Sequence, residues 1–340
     1  MKTVLLLFGG ESSEHEVSIA SATNVSQVID LEKFSVRYGF IDKQGEWWLV
    51  DGVSAEKPDT AQRLLPILGL NSFAIEGTDQ SVTPDVILPV LHGRNGEDGS
   101  VQALAQLLHI PIVGCDMTSS AAAMNKYITK ELASANGINV APYGVHYAGD
   151  PAFSYKGVSD NLGATLFVKP ANAGSSVGVH KVTSQEELDA ALDDAHTHDS
   201  IVLVEQAINA RELEVAVLGN YPSIQASLVG EVKPDGAFYT YESKYDSTST
   251  SEVVIPAEIP AEISDEIRSQ AVKLFHLLGG SGLARVDFFL DNDTQKIYLN
   301  EINTLPGFTD ISMYPKLWEK SGITYAHLVD QLIELALEKK

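Results

Sequence analysis

Near the C-terminal end, Leu283-Ala284-Arg285-Val286-Asp287-Phe288-Phe289-Leu290 alternates apolar and charged residues. At the two-residue period of a strand, Val286, Phe288 and Leu290 share one face while Arg285 and Asp287 share the other. Asp291-Asn292-Asp293 is turn chemistry, and the returning segment puts Leu299, Glu301 and Asn303 on one face. A hairpin folded about residues 293–294 sets Asp287 across from residues 299–301. Asp287, Glu301 and Asn303 then converge as three hard oxygen donors beside Arg285. Such a set suits Mg²⁺ shared with phosphates and suits zinc poorly. A solvated strand face paired with Arg285 is the other reading of the same pattern.

A second feature is Lys169-Pro170 followed by Gly174-Ser175-Ser176-Val177-Gly178. Small residues with accessible backbone N–H groups can close over an anion, though glycine-serine segments are often mere loops. No Gly-x-x-x-x-Gly-Lys-Ser/Thr or Gly-x-Gly-x-x-Gly occurs, which speaks against a Walker loop and a dinucleotide fold. Glu16 lies in the first turn of a helix that follows a strand and Gly9-Gly10. Its charge suits the helix dipole and could equally meet a ligand's ammonium group. His92, with Gly93, Arg94, Gly96 and Gly99 after it, closes a strand at a crevice edge, where a lone histidine is often structural. Lys244-Tyr245 precedes Ser247–Ser251, a short biased segment suited to a mobile lid. There is no Ser-His-Asp order, His-Glu-x-x-His or Cys-x-x-Cys, so hydrolase and zinc readings lack residues.

The elements that must carry these groups follow from the apolar pattern. Strands at Val4–Phe8, Val36–Ile41, Trp47–Val50 and Val86–Leu91 alternate with helices at about 17–29 and Gln102–Leu108. That alternation predicts a parallel α/β unit over 1–115. A helix over Ser119–Ala135, strands at Leu166–Val168, Val179–Val182 and Ile201–Val204, and a helix at Glu186–Ala195 make a central unit, 116–205. From 206 to 340 strands predominate: Leu213–Leu218, Ile224–Leu228, Val253–Ile255, Leu283–Leu290 and Ile297–Ile302. Helices at about 262–278 and 326–338 complete an α+β unit with an antiparallel sheet.

Composition narrows the partners. Across 340 residues, 46 Asp and Glu outweigh 23 Lys and Arg, a net charge of −23. So acidic a surface repels nucleic-acid backbones and anionic lipid. An anionic ligand must therefore be held by a few placed cations and N–H groups. One cysteine, Cys115, excludes a disulfide framework. No window of 18 uninterrupted apolar residues and no signal-peptide pattern is present. The expectation is a soluble protein of a reducing compartment, most simply cytoplasmic.

Laid end to end, these blocks resemble the D-alanine–D-alanine ligase family of the ATP-grasp superfamily. The resemblance is carried by Gly9-Gly10 with Glu14-His15-Glu16-Val17-Ser18, then His92-Gly93-Arg94-Asn95-Gly96-Glu97-Asp98-Gly99 and Met124-Asn125-Lys126. Val168-Lys169-Pro170 with Gly174–Gly178, Tyr241-Glu242-Ser243-Lys244-Tyr245 and Arg285-Val286-Asp287 follow in order. Asn300-Glu301-Ile302-Asn303-Thr304-Leu305-Pro306-Gly307 and Ser312-Met313-Tyr314-Pro315 complete it. The resemblance implies a three-domain fold with ATP gripped between the central and C-terminal units, and a homodimer. It implies that Lys126, Lys169 and Lys244 meet phosphates under the loop of Ser175 and Ser176. Glu205 and Gln206 would meet adenine, Glu212 the ribose, and Asp287, Glu301 and Asn303 two Mg²⁺ or Mn²⁺.

For the two D-alanine substrates, the resemblance implies Glu16 and His92 at the first, and Ser312, Met313 and Lys244 at the second. Ser175 would link Glu16 to Tyr245, and Arg285 with the Gly307 N–H would stabilise the oxyanion. The implied product is D-alanyl-D-alanine for peptidoglycan, made through an acyl phosphate. Asn125 and Thr240 stand where the family often has Asp, and Tyr245 rather than Phe resembles ligases that prefer D-alanine over D-lactate. An ATP-grasp ligase for another carboxylate and amine, a non-catalytic nucleotide binder and a dehydrogenase are the rival readings.

Overall fold

A computed structural model describes residues 1–233 and 252–339. It consists of three sheets laid out in chain order. The first has β1 (Lys2–Gly9) at its heart, an all-apolar run from Val4 to Phe8 that is wholly buried. It pairs in parallel with β2 (Phe34–Ile41) and β7 (Val86–Val90). The first crossover is α1 (His15–Val28). The parallel expectation holds for these three strands only. The sheet continues from β2 as an antiparallel meander of β3 (Trp47–Val50), β4 (Gln62–Ile67), β5 (Ser72–Ile75) and β6 (Ser81–Val82). The helix α2 (Ser100–Leu107) follows β7.

The segment read as one helix from 119 to 135 is two. They are α3 (Met117–Met124) and α4 (Lys126–Ala135), parted at Asn125. Asn125 is extended, and its Oδ1 accepts from Ile128 N at 2.9 Å, so it caps α4 and makes Lys126 the first residue of that helix. The second sheet runs β10–β9–β11–β8, antiparallel throughout. Its strands are β8 (Tyr143–Tyr147), β9 (Leu166–Pro170), β10 (His180–Val182) and β11 (Ile201–Gln206). Helices α5 (Tyr155–Leu162) and α6 (Gln185–His198) close a separate small core with it around Leu166, Val168, Leu188 and Leu192.

The third sheet is antiparallel in the order β14–β13–β12–β15–β16. Its strands are β12 (Ala210–Gly219), β13 (Gln225–Lys233), β14 (Glu252–Val254), β15 (Gly282–Asp291) and β16 (Ile297–Asn303). Both faces are covered, but unequally. Leu213, Val215, Val217, Val286, Phe288 and Leu290 pack with Ile267, Leu274 and Phe275 of α7 (Ala261–Leu277). On the opposite face, Ala216, Leu218 and Leu283 meet Tyr314 and Leu317 of α8 (Met313–Lys320) and Leu332 of α9 (Tyr325–Leu337). The same face of β12 and β15 carries Glu212, Glu214, Arg285 and Asp287, since strand residues alternate. The helices cover only the apolar half of that face, and the charged half is left as the floor of a cleft.

Candidate active site

The β15–β16 hairpin pairs Asp287 with Glu301 and Arg285 with Asn303. A bulge follows, with Phe288 opposite Leu299, so Asn300 is an extra residue. One extra residue exchanges the faces. Leu299 therefore enters the core with Phe288 instead of sharing the face of Glu301 and Asn303, which corrects the simple alternation. The bulge is what lets Ile297, Leu299 and Ile302 all be buried while Glu301 and Asn303 still line the cleft.

Arg285 sits between two carboxylates. Its Nε and Nη2 donate to Asp287 Oδ1 and Oδ2 at 2.8 and 2.7 Å, and Nε lies 2.9 Å from Glu214 Oε2. Burial disfavours the charged guanidinium, but the charges of Asp287 and Glu214 outweigh it and hold Arg285 protonated well above its ordinary range. Glu301 Oε2 lies 3.2 Å from Lys126 Nζ, which also donates to Ala173 O at 2.7 Å. Asn303 Oδ1 accepts from Leu305 N at 2.9 Å. Two carboxylates and an amide oxygen are a donor set for a hard divalent ion, and each carboxylate here is already matched to a cation. Among the described residues no three His, Cys, Asp or Glu side chains form a metal cage, so the set depends on the Asn303 amide.

Lys169 and Glu205 lie on neighbouring strands of the second sheet. Glu205 Oε2 is 2.9 Å from Lys169 Nζ and Oε1 is 3.2 Å from Lys130 Nζ, all three groups being buried. Burial would raise the Glu205 carboxyl, but the two ammonium charges keep it below its ordinary range. Burial pushes Lys130 down to about 8 against the opposing pull of Glu205. The Glu205 side chain is thus committed to two lysines, and Gln206 ends β11 beside it. Glu212 stands at the charged end of β12, half-buried. Ser175 and Ser176 are both left-handed, at φ of 51° and 60°. Such backbone costs about 1–3 kcal/mol per residue and is characteristic of functional loops.

Across the cleft, His92 is buried, with Nδ1 3.3 Å from Leu305 O and 3.7 Å from Glu97 Oε1, and Nε2 3.3 Å from Ser21 Oγ. Glu16 does not join it. Its side chain is 68% exposed and bound to Lys43 at 2.6 Å, and Glu16 is not among the residues that line the cleft. The residue that does line the cleft is Glu14, which is buried in the turn before α1. Ser12 staples that turn by donating to His92 O at 2.7 Å and accepting from Glu14 N at 3.2 Å. A Cβ on Gly93, whose φ is +67°, would stand 2.9 Å from Glu14 Oε2, so glycine makes the room for this carboxylate. The helix phase separates the two glutamates: position 14 precedes α1 and faces inward, position 16 lies on its solvent side.

Gly307 and Ser312 meet at the mouth of α8. A Cβ at 307 would lie 2.8 Å from Ser312 Oγ, which accepts from Thr309 N at 2.9 Å. One open cleft is lined by His92, Lys126, Ser175, Arg285 and Glu301, and equally by Asn303, Gly307, Ser312 and Met313. Asp287 adjoins it through Arg285. Glu14, Glu97, Glu214 and Thr309 line it too; Glu14 and Glu97 stand in the sequence blocks that carry the family resemblance, with no role assigned to them there. Lys244 and Tyr245 lie outside the described residues.

Comparison with known proteins follows the same outline. Residues 3–115 match a family model described as D-ala D-ala ligase N-terminus, and residues 132–334 one described as D-ala D-ala ligase C-terminus. The D-alanine--D-alanine ligase A of Escherichia coli K12 is 45% identical over 348 residues, covering 98% of this chain and 95% of that protein. The D-alanine--D-alanine ligase of Caldicellulosiruptor bescii is 44% identical, covering 99% and 95%. Among solved structures, the D-alanine-D-alanine ligase of Coxiella burnetii superposes with a TM-score of 0.87 at 35% identity, covering 99% of this chain and 96% of that one. The VanG D-Ala:D-Ser ligase of Enterococcus faecalis gives 0.90 at 36% identity, covering 98% and 99%.

Proposed function

The chain belongs to the D-alanine–D-alanine ligase family, and from that premise we propose which residues of its cleft perform the reaction. The enzyme is a ligase of three-domain ATP-grasp fold that joins two D-alanine molecules using ATP, for peptidoglycan precursors. The observation that carries the residue assignment is the single cleft in which Arg285, Glu301 and Asn303 face His92 and Glu14.

A carboxylate does not acylate an amine at neutral pH, because its oxygen is too poor a leaving group. Transfer of a phosphoryl group from ATP to the first D-alanine supplies a better one, an acyl phosphate. Lys126 and Lys169 would meet the phosphates, with Ser175 and Ser176 closing over them between the units 116–205 and 206–340. Lys169 would share its charge between Glu205 and the phosphates. Adenine would lie at the end of β11 by Glu205 and Gln206, and the ribose by Glu212. Asp287, Glu301 and Asn303 would hold Mg²⁺ or Mn²⁺, ions that offset charge on a transferring phosphoryl group.

Glu14, rather than Glu16, would pair with the ammonium group of the first D-alanine, with His92 and Glu97 beside it. Ser312 and Met313 would receive the second D-alanine, whose amine attacks the acyl carbon and gives up a proton, before the tetrahedral adduct expels phosphate. Arg285 and the Gly307 N–H would then stabilise the tetrahedral oxyanion, each such donor being worth about 3–4 kcal/mol when removed. Tyr245 and Lys244, together with Ser312, would set the acceptor preference. Among the described residues no helix is long and apolar enough to cross a membrane, and we propose a cytoplasmic homodimer.

The test is phosphate release from ATP with D-alanine, L-alanine, D-serine and D-lactate compared, and product mass checked. Release with D-alanine and a mass of the dipeptide are expected. Glu301→Ala is expected to abolish release while the fold persists, and wild-type turnover by that variant would refute the metal assignment.

A further inference from the structure

Glu214, Asp287 and Glu301 form a row across three adjacent strands, since β12 pairs Glu214 with Asp287 and β16 pairs Glu301 with Asp287. Arg285 stands over that row, and its Nε reaches the central member, Asp287, at 2.8 Å and one outer member, Glu214, at 2.9 Å. The fork of Arg285 occupies both oxygens of Asp287, the same oxygens a divalent ion needs under the metal reading proposed above. A guanidinium already held on both oxygens leaves a dication only their second lone pairs, so the two cations compete for Asp287. Displaced from Asp287, Arg285 would be a cation beside a dication, in a pocket where its side chain is 16% exposed and solvent screens little.

We propose that Glu214 is a positioning residue that takes over the Arg285 guanidinium when divalent ions load onto Asp287. Arg285 then keeps a counter-charge and stays at the oxyanion site, where it would otherwise be repelled. The exchange needs no movement of the strands, because Nε already lies within ion-pair distance of Oε2. The two Arg285 partners thus act in turn: Asp287 holds the side chain before the ions arrive and Glu214 after. Nothing about the isolated sequence marks Glu214 for this. Its role follows from the strand register that puts it beside Asp287.

The proposal rests on Asp287 being a metal ligand, and the experiment separates the two ideas. Free Mn²⁺ is followed by electron paramagnetic resonance while Mn²⁺ is titrated into the enzyme with ADP, without turnover. Glu214→Gln is expected to weaken Mn²⁺ binding about tenfold in the wild-type background, because Arg285 is left to compete for Asp287 undivided. In an Arg285→Met background the same change is expected to cost less than about twofold, as no guanidinium remains to be moved. Glu214→Asp is expected to recover most of the wild-type affinity, and Glu214→Thr serves as a second neutral variant should Gln disturb folding. Equal weakening in both backgrounds would overturn the proposal, since Glu214 would then act by its own charge on the ion. No weakening in either background would overturn it as well. Should Asp287→Asn leave Mn²⁺ affinity unchanged, the metal reading itself fails, whatever Glu214 does.

Discussion

Glu14 and Glu16 share one turn and meet opposite environments, so a pair of substitutions separates burial from mere proximity. Glu14 is buried on the cleft, whereas Glu16 is exposed against Lys43. We expect Glu14→Gln to lower kcat/KM for D-alanine about 100-fold, as loss of a buried charge partner costs about 2–5 kcal/mol. Glu16→Gln should stay within about twofold, because exposed pairs contribute at most about 1 kcal/mol. Steady-state kinetics on both variants decide it, and a reversed order would restore Glu16 to the site. Glu205 makes a second case, in stability. Its carboxylate answers two buried ammonium groups, so Glu205→Gln leaves them uncompensated and should cost about 3–5 kcal/mol at neutral pH. Because its folded-state pKa is lowered, the folded state holds fewer protons than the unfolded one through the acid range. Its contribution is therefore complete above the ordinary carboxyl value of 4.5 and is lost as pH falls through the lowered value. Denaturant melts should show the gap between wild type and variant closing only on the acid side. A gap that is constant with pH would contradict the ion-pair account.

The element scale explains how Lys126 comes to face Glu301. Asn125 interrupts what the apolar spacing presents as one helix, and its side chain caps the second. We expect Asn125→Ala to destabilise the protein by about 1 kcal/mol and to raise KM for ATP several-fold by loosening the start of α4. Thermal melts and ATP titration would check both, and a lowered Tm with unchanged KM would separate the cap from the lysine's aim. An asparagine inside a helical pattern is a weak break, so only the capping hydrogen bond discloses it. Other elements were as legible as their periodicity. The alternation of β15 is unambiguous because apolar and charged residues take strict turns, and it placed Arg285 and Asp287 on one face correctly. The bulge at Asn300 could not be read, since one unpaired residue leaves no composition mark yet moves Leu299 to the opposite face. β4, β5 and β6 were missed for a different reason. They are short, and Pro66 and the exposed Leu65 in β4 blur its pattern. The site was readable wherever a residue's face follows from strand phase. It was not readable for Glu14, Glu97 and Glu214, whose places depend on a turn or on a neighbouring strand.

At the scale of the whole molecule, the first and third sheets are not independent. Val4, Leu6 and Phe8 of β1 share one apolar cluster with Tyr314, Leu328 and Leu332 near the C-terminus. Tyr314 donates to Val217 O at 3.0 Å, Ser21 Oγ accepts from Phe308 N at 3.1 Å, and Lys33 meets Asp330 at 2.7 Å. The second sheet instead closes its own core around Leu188 and Leu192. Two of the cleft's walls therefore belong to one apolar block, and the wall bearing Gly174 and Ser175 belongs to another. With ATP bound as proposed, its admission would come from the second sheet moving against the rest, because parting the other two would expose a shared core at about 25 cal/mol per Å² of apolar surface. Leu332→Ala removes buried methyl groups from the shared cluster and should cost about 2–5 kcal/mol. Native-state hydrogen exchange should show amides of β1 and β12 losing protection together in that variant, with β9 and β11 unchanged. Leu192→Ala should do the converse. If Leu332→Ala loosened β12 and left β1 protected, the two sheets would be separate folding units, and opening between them would become the easier route for the nucleotide.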